Sequence, residues 1–143
     1  MKRPQIVIDT NVFVSALRSR QGASHRLVML LGTNKFDVHL SVPLVIEYES
    51  IAKRLIGKRT GLNATDIDDV VDYFCSVGQR CEIHFLWRPF LADPNDDMVL
   101  ELAVAAGCEI IVTYNKSDFK GISQFGIRAL TAREFLQEIG EIP

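Results

Sequence analysis

The chain is 143 residues long, a length for one domain spanning residues 1–143, with 48% hydrophobic and 24% charged residues. A domain of this size buries roughly 70% of the surface its unfolded chain exposes, so it needs neither disulfides nor a structural metal to fold. The formal charge of -2 neither advertises a nucleic-acid binder nor excludes one, because a local basic patch is masked in the sum.

Residues 6–8 are a short apolar β-branched run ended by Asp9 and read as a buried strand. Residues 10–17 continue at helical spacing through Val12, Phe13, Ala16 and Leu17. Ser24 is placed to cap a second helix striped by Leu27, Val28, Leu30 and Leu31 and closed by Gly32. Residues 38–40 suggest a second strand, and Pro43 then opens a helix running to Ile56. Another helix is expected over residues 66–77, with Ile67, Val70, Val71 and Phe74 on one face. Residues 81–86 alternate like a strand, and the acidic turn 93–97 starts a helix over 98–106 stopped by Gly107. Residues 109–113 form the clearest strand; a last one near 127–130 leads into a C-terminal helix from Thr131, with Glu134 placed for a capping box.

This alternation predicts an α/β/α sandwich around a parallel sheet. Sites in such sheets form at the carboxyl ends of strands, where Asp9, Ser41 and residues 113–115 fall. Cys75, Cys81 and Cys108 are odd in number and lack a metal-ligand spacing, which suits reduced thiols. The apolar run before Asp9 is too short for a signal peptide, and nothing approaches the ~18 apolar residues of a membrane span. The expected compartment is the cytoplasm.

Four places carry candidate chemistry. Asp9 either caps the first helix or presents a carboxylate at the sheet edge. Glu47 lies beside the apolar stripe of Leu44 and Ile51, where a glutamate needs a partner or a metal unless it reaches solvent. The acids of Asp93-Pro94-Asn95-Asp96-Asp97 are partly explained by capping and the helix dipole. Asp96 aligns with Leu100, Ala103 and Gly107 on the face that packs on the sheet, and is favoured as a ligand over Asp97, which lies nearer the margin. Thr113, Asn115 and Asp118 leave one strand end together, either as a functional group or as a polar turn with Asn115 left-handed.

The joint order resembles the PIN-domain family over nearly the whole chain, from Ile6 to about Leu136. The marks are Asp9-Thr10-Asn11-Val12, Ser41-x-Pro43 leading to Glu47-Tyr48, Asp93-Pro94-x-Asp96-Asp97 leading to Leu100 and Ala103, and Thr113-x-Asn115-x-x-Asp118-Phe119. Within the family the chain looks closest to the VapC-like ribonucleases, the toxin components of prokaryotic toxin–antitoxin pairs. The resemblance implies a Rossmann-like PIN fold and a Mg²⁺- or Mn²⁺-dependent endoribonuclease. Its catalytic, metal-binding acids carry over onto Asp9, Glu47, Asp96 (or Asp97) and Asp118, supported by Asn11, Thr113 and Asn115. Some members have Asp where this chain has Asn115. A cognate antitoxin and a homodimer or higher homo-oligomer are the implied partners, with no membrane.

Hard divalent ions prefer oxygen ligands, and crowded carboxylates raise one another's pKa until a cation offsets them. The expected reaction is in-line attack of an ion-activated water on an RNA phosphodiester. Arg18, Arg20, Lys53, Arg54, Lys58, Arg59 and Lys116 are candidates for the RNA backbone. Trp87, Phe85, Phe90 and Leu91 suit a core or a dimer surface. A PIN-fold binding or regulatory module with little catalysis is the first alternative. A haloacid-dehalogenase-like phosphatase is the second, weakened because Asn11 stands where that family has a second Asp.

Overall fold

The computed structural model describes residues 2–56, 61–83 and 90–143. In chain order the elements are β1 (Gln5–Ile8), α1 (Thr10–Arg18), α2 (Ala23–Met29), β2 (Asp37–Leu40), α3 (Val42–Ile56), α4 (Ala64–Val77), β3 (Gln79–Arg80), α5 (Pro94–Ala106), β4 (Ile110–Val112), β5 (Arg128–Leu130) and α6 (Ala132–Glu138). Two short 3₁₀ turns, Lys116–Phe119 and Ile122–Phe125, connect β4 to β5.

All pairings are parallel and the strand order is β3-β2-β1-β4-β5. Ile6, Val7 and Ile8 of β1 and Ile110, Ile111 and Val112 of β4 are all buried. Because alternate side chains of a strand point to opposite faces, both faces of the sheet must be covered by helices. The expected α/β/α sandwich is therefore the fold. From β1 the chain winds outward through β2 and β3, then returns to the other side of β1 as β4 and β5. That reversal lies between β1 and β4, where adjacent loops diverge and leave a crevice at the carboxyl ends of the strands.

The crevice is held by packing beneath it. Phe13 of α1 stacks on Tyr48 of α3 with ring centroids 4.4 Å apart, and Phe74 of α4 meets both rings edge-on. The Tyr48 hydroxyl donates to the Ile8 carbonyl, tying α3 to the last residue of β1. At the start of β3, a Cβ on Gly78 would lie 2.7 Å from Leu40 Cδ1 and 2.8 Å from the Phe74 carbonyl oxygen, so only glycine lets α4 turn this close to β2. The three cysteines are free, and burial pushes the Cys108 thiol up to about 12, leaving it unreactive.

Some local expectations are corrected. α2 begins one residue before Ser24, which is buried within the helix instead of capping it. Its hydroxyl is engaged across the fold with that of Tyr114, a tertiary contact that overrides the local preference of serine for a cap. α5 begins at Pro94 instead of Met98, because Asp93 caps it by accepting from the Asn95 amide and Pro94 is preorganised for the first helical position. The described strand here is Gln79–Arg80, ahead of the one expected over residues 81–86, and it pairs with His39 and Leu40. Residues 81–83 are irregular, and residues 84–86 lie outside the described residues, as do Phe85 and Trp87. Asn115 has φ -107 and is not left-handed. The capping box of Thr131 and Glu134 forms as expected, and a second one joins Asn63 to Asp66.

Candidate active site: an acidic cleft at the strand ends

Asp9 leaves the carboxyl end of β1 and does two things at once. Its Oδ1 accepts the Thr10 amide at 2.8 Å, which caps α1. Its Oδ2 accepts the Thr113 hydroxyl at 2.8 Å from the end of β4. The cap and the strand-end carboxylate, alternatives in sequence, are the same residue in the same rotamer. Thr113 Oγ1 in turn accepts from the Asn115 amide (3.1 Å) and weakly from Asn11 Nδ2 (3.4 Å), while Asn11 Oδ1 accepts the Tyr114 amide (3.3 Å). The network fixes Asp9 across the switch point between β1 and β4.

Above it lies an open cleft of about 520 Å³, lined by Asp9, Glu47, Asp93, Asp96 and Asp118 among others. Glu47 comes from α3, Asp93 from the N-cap and Asp96 from the first turn of α5, and Asp118 from the 3₁₀ turn after β4. Arg18 is the only basic side chain lining it among the described residues. Burial chiefly raises the pKa of Asp9, with Asp118 and Asp93 adding to it, while hydrogen bonds from Thr113 and Thr10 pull the other way. Glu47 is raised by burial and by Asp9 and Asp93, against a lowering contact with Thr10. Asp96 is pushed up to about 7, first by burial and then by the charges of Asp9, Asp93, Asp118 and Glu47. These acids feel one another as a single cluster.

Asp97 stands apart. It is buried, does not line the cleft, and its Oδ1 accepts the amides of Phe90 (3.2 Å) and Leu91 (2.8 Å). Burial is the reverse of the sequence expectation: Asp97 is on the buried side of α5 and pins the preceding segment, whereas Asp96 is part-exposed and lines the cleft. Asp93 was read from the sequence only as part of an acidic turn, yet its carboxylate charge acts on Asp9, Glu47 and Asp96. The Asp-Pro step was the available signal: it sets the N-cap, and three residues later comes Asp96 on the same helix turn.

The basic candidates are dispersed. Arg18 is in the cleft, while Arg20 lines neighbouring concavities. Lys53 is held between Glu49 (2.7 Å) and Asp68 (2.8 Å), and Lys116 pairs with Glu134 at 2.9 Å. Arg54 is exposed on the last turn of α3; Lys58 and Arg59 lie outside the described residues. Among the described residues, no three His, Cys, Asp or Glu side chains are arranged to hold a metal ion directly, and no helix is long and apolar enough to cross a membrane.

A doubly wound parallel sheet with an acidic cleft at its switch point defines the class: a Rossmann-like α/β domain with a polar site at its strand ends. The PIN domain family model matches residues 5–117, and the chain belongs to that family. The phosphatase alternative falls with that assignment. In fold the chain is similar to the crystal structure of VapBC2 from Rickettsia felis bound to a DNA fragment from their promoter. The TM-score is 0.61 at 16% identity, covering 89% of this chain and 98% of the matched chain. No curated protein matches the sequence.

Proposed function

We propose that this PIN domain is a Mg²⁺- or Mn²⁺-dependent endoribonuclease and the toxin component of a toxin–antitoxin pair. The observation that carries the nuclease reading is the convergence of Asp9, Glu47, Asp93, Asp96 and Asp118 on one open cleft, where burial first, and then the neighbouring carboxylates, raise Asp96 to about 7. Such an arrangement is costly to a folded chain unless a cation offsets it.

The donor set fits a hard divalent ion: every side-chain donor is an oxygen, and the excess charge is negative. Mg²⁺ keeps several waters and takes only one or two carboxylates, so direct contact with three side chains is not required of this site. Asp9 and Asp96 would hold the ion, with Glu47 and Asp118 reaching it directly or through water. When bound, it supplies charge neutralisation at the scissile phosphate and acidifies water for attack. The chain's own residues do the rest. Thr113 and the Thr10 amide hold Asp9 in one orientation, so no reorganisation is needed when substrate arrives. Arg18 offers a phosphate contact at the cleft wall.

The toxin role is supported by the fold's similarity to VapBC2, which is bound to promoter DNA. A cognate antitoxin, homo-oligomerisation and a cytoplasmic location belong to the same reading. Incubation of the purified protein with single-stranded RNA should give cleavage that requires Mg²⁺ or Mn²⁺, stops with chelator, and disappears in Asp9→Asn. Persistent cleavage by Asp9→Asn sinks the assignment. Growth arrest on expression, relieved by a co-expressed partner, tests the toxin role separately.

A further inference from the structure

A second concavity, of about 460 Å³, lies between the α1–α2 connection, α2 and α6, and its polar lining is dominated by Arg20, Arg26 and Arg133, with His25 beside them. Among the described residues no carboxylate side chain lines it. The acids of the adjacent C-terminal segment are all neutralised elsewhere: Glu134 by Lys116, Glu138 by Arg128 and Glu141 by Lys35. Only the backbone carbonyl of Glu141 meets Arg26, at 3.1 Å. Arg20 also borders a neighbouring groove lined by Asp66 and Asp69, but among the described residues no ion pair joins any of the three arginines to an acid. In a chain of net charge -2, three uncompensated guanidinium groups around one hollow are a local reversal of sign.

Among the described residues, the hollow and the acidic cleft share no lining residue but are joined by the chain itself, at the end of α1. Arg18 lines the cleft, and Arg20, Gln21 and Gly22 line the hollow. The hydroxyl of Ser24, two residues on, is bonded to Tyr114 at the cleft's edge. Basic side chains are therefore spaced along this stretch of chain, Arg18 at the cleft and Arg20 and Arg26 at the hollow, where Arg133 of α6 joins them. We propose that this hollow is a backbone subsite for the substrate RNA, in which Arg20, Arg26 and Arg133 take phosphates flanking the one at the acidic cleft. The guanidinium fork matches phosphate oxygens bidentately, and an exposed anion with no base-specific partner is what such a lining recognises. This inference rests on the ribonuclease reading and adds where the RNA runs.

The test is fluorescence anisotropy of a labelled single-stranded 20-mer RNA against KCl concentration, in Ca²⁺ to slow cleavage, for wild type and Arg26→Gln/Arg133→Gln. Cleavage of a trinucleotide and of the 20-mer in Mg²⁺ is followed in parallel. A charge-matched control, Lys35→Gln/Arg128→Gln, removes two cations that are already paired. Each lost phosphate contact lowers the salt slope on a single strand by about 0.7, so the hollow's double variant should be shallower by about 1.4. It should bind the 20-mer several-fold more weakly and keep trinucleotide cleavage, while the control behaves as wild type. Wild-type affinity and slope in Arg26→Gln/Arg133→Gln, with wild type active, overturn the subsite and leave the nuclease intact. Equal losses in the control overturn it as well, as a mere net-charge effect. A wild type that neither binds nor cleaves RNA overturns both readings together.

Discussion

Asp96→Asn isolates the electrostatic cost of the cleft. The carboxyl of Asp96 rises from an ordinary 3.8 to about 7 through burial and the charges of Asp9, Asp93, Asp118 and Glu47. Between those two values the folded chain holds a proton that the unfolded chain has released. Stability therefore falls as pH rises through that window, and the loss is complete above about pH 7. Asparagine carries no charge in either state and is spared it. Asp96 is part-exposed, so the full linkage must be discounted for solvent screening, leaving about 1–2 kcal/mol. For a domain of this size that is about 3–7 °C in Tm. Thermal unfolding in chelator should show the variant and wild type close together near pH 4 and the variant more stable by that amount at pH 8. Mg²⁺ at pH 8 should then raise the wild type more than the variant, because the cation offsets the same repulsion. A variant less stable than wild type at pH 8, or a difference that ignores pH, refutes the reasoning.

Further outcomes follow from the network and the packing. Thr113→Val removes the hydroxyl that donates to Asp9 and leaves its carboxylate short of a buried donor. It should cost about 1–3 kcal/mol in denaturant unfolding and shift the acidic limb of the cleavage profile to higher pH. Asp97→Ala removes the acceptor for the Phe90 and Leu91 amides and should cost about 2–3 kcal/mol. The Mg²⁺-induced rise in Tm should survive in Asp97→Ala, and its disappearance would mean that Asp97 takes part in cation binding. Gly78→Ala should destabilise by about 1–3 kcal/mol through overpacking against Leu40 and the Phe74 carbonyl. An unchanged denaturation midpoint would show that α4 shifts to make room.

What could be read in the chain without its fold was whatever local chemistry imposes. Residues 6–8 and 110–112 are apolar on every side chain, which only a strand covered on both faces needs, so the central parallel pair was legible. Asp9 was visible because it interrupts such a run, and the capping box of Thr131 and Glu134 because its two bonds close within four residues. β3 was not legible because two exposed residues paired at the sheet's edge leave no pattern. Ser24 was misjudged because its partner is Tyr114, 90 residues away.

The acids divide in the same way. Sequence periodicity put Asp96 on the packed face and Asp97 at the margin, whereas in the fold Asp97 is the buried one and Asp96 the part-exposed one that lines the cleft. Only the folded chain revealed that Asp97 is spent on two backbone amides, that Asp93 belongs to the cluster, and that Arg20, Arg26 and Arg133 meet around one hollow. The reason is physical: strands and caps are set by neighbours along the chain, whereas a site is set by charges brought together from distant segments, whose repulsion exists only once the sheet has gathered them. Sequence alone therefore determined the family pattern and the candidate acids. Tertiary structure decided which of them share a cleft, and that Arg20, Arg26 and Arg133 gather around one hollow.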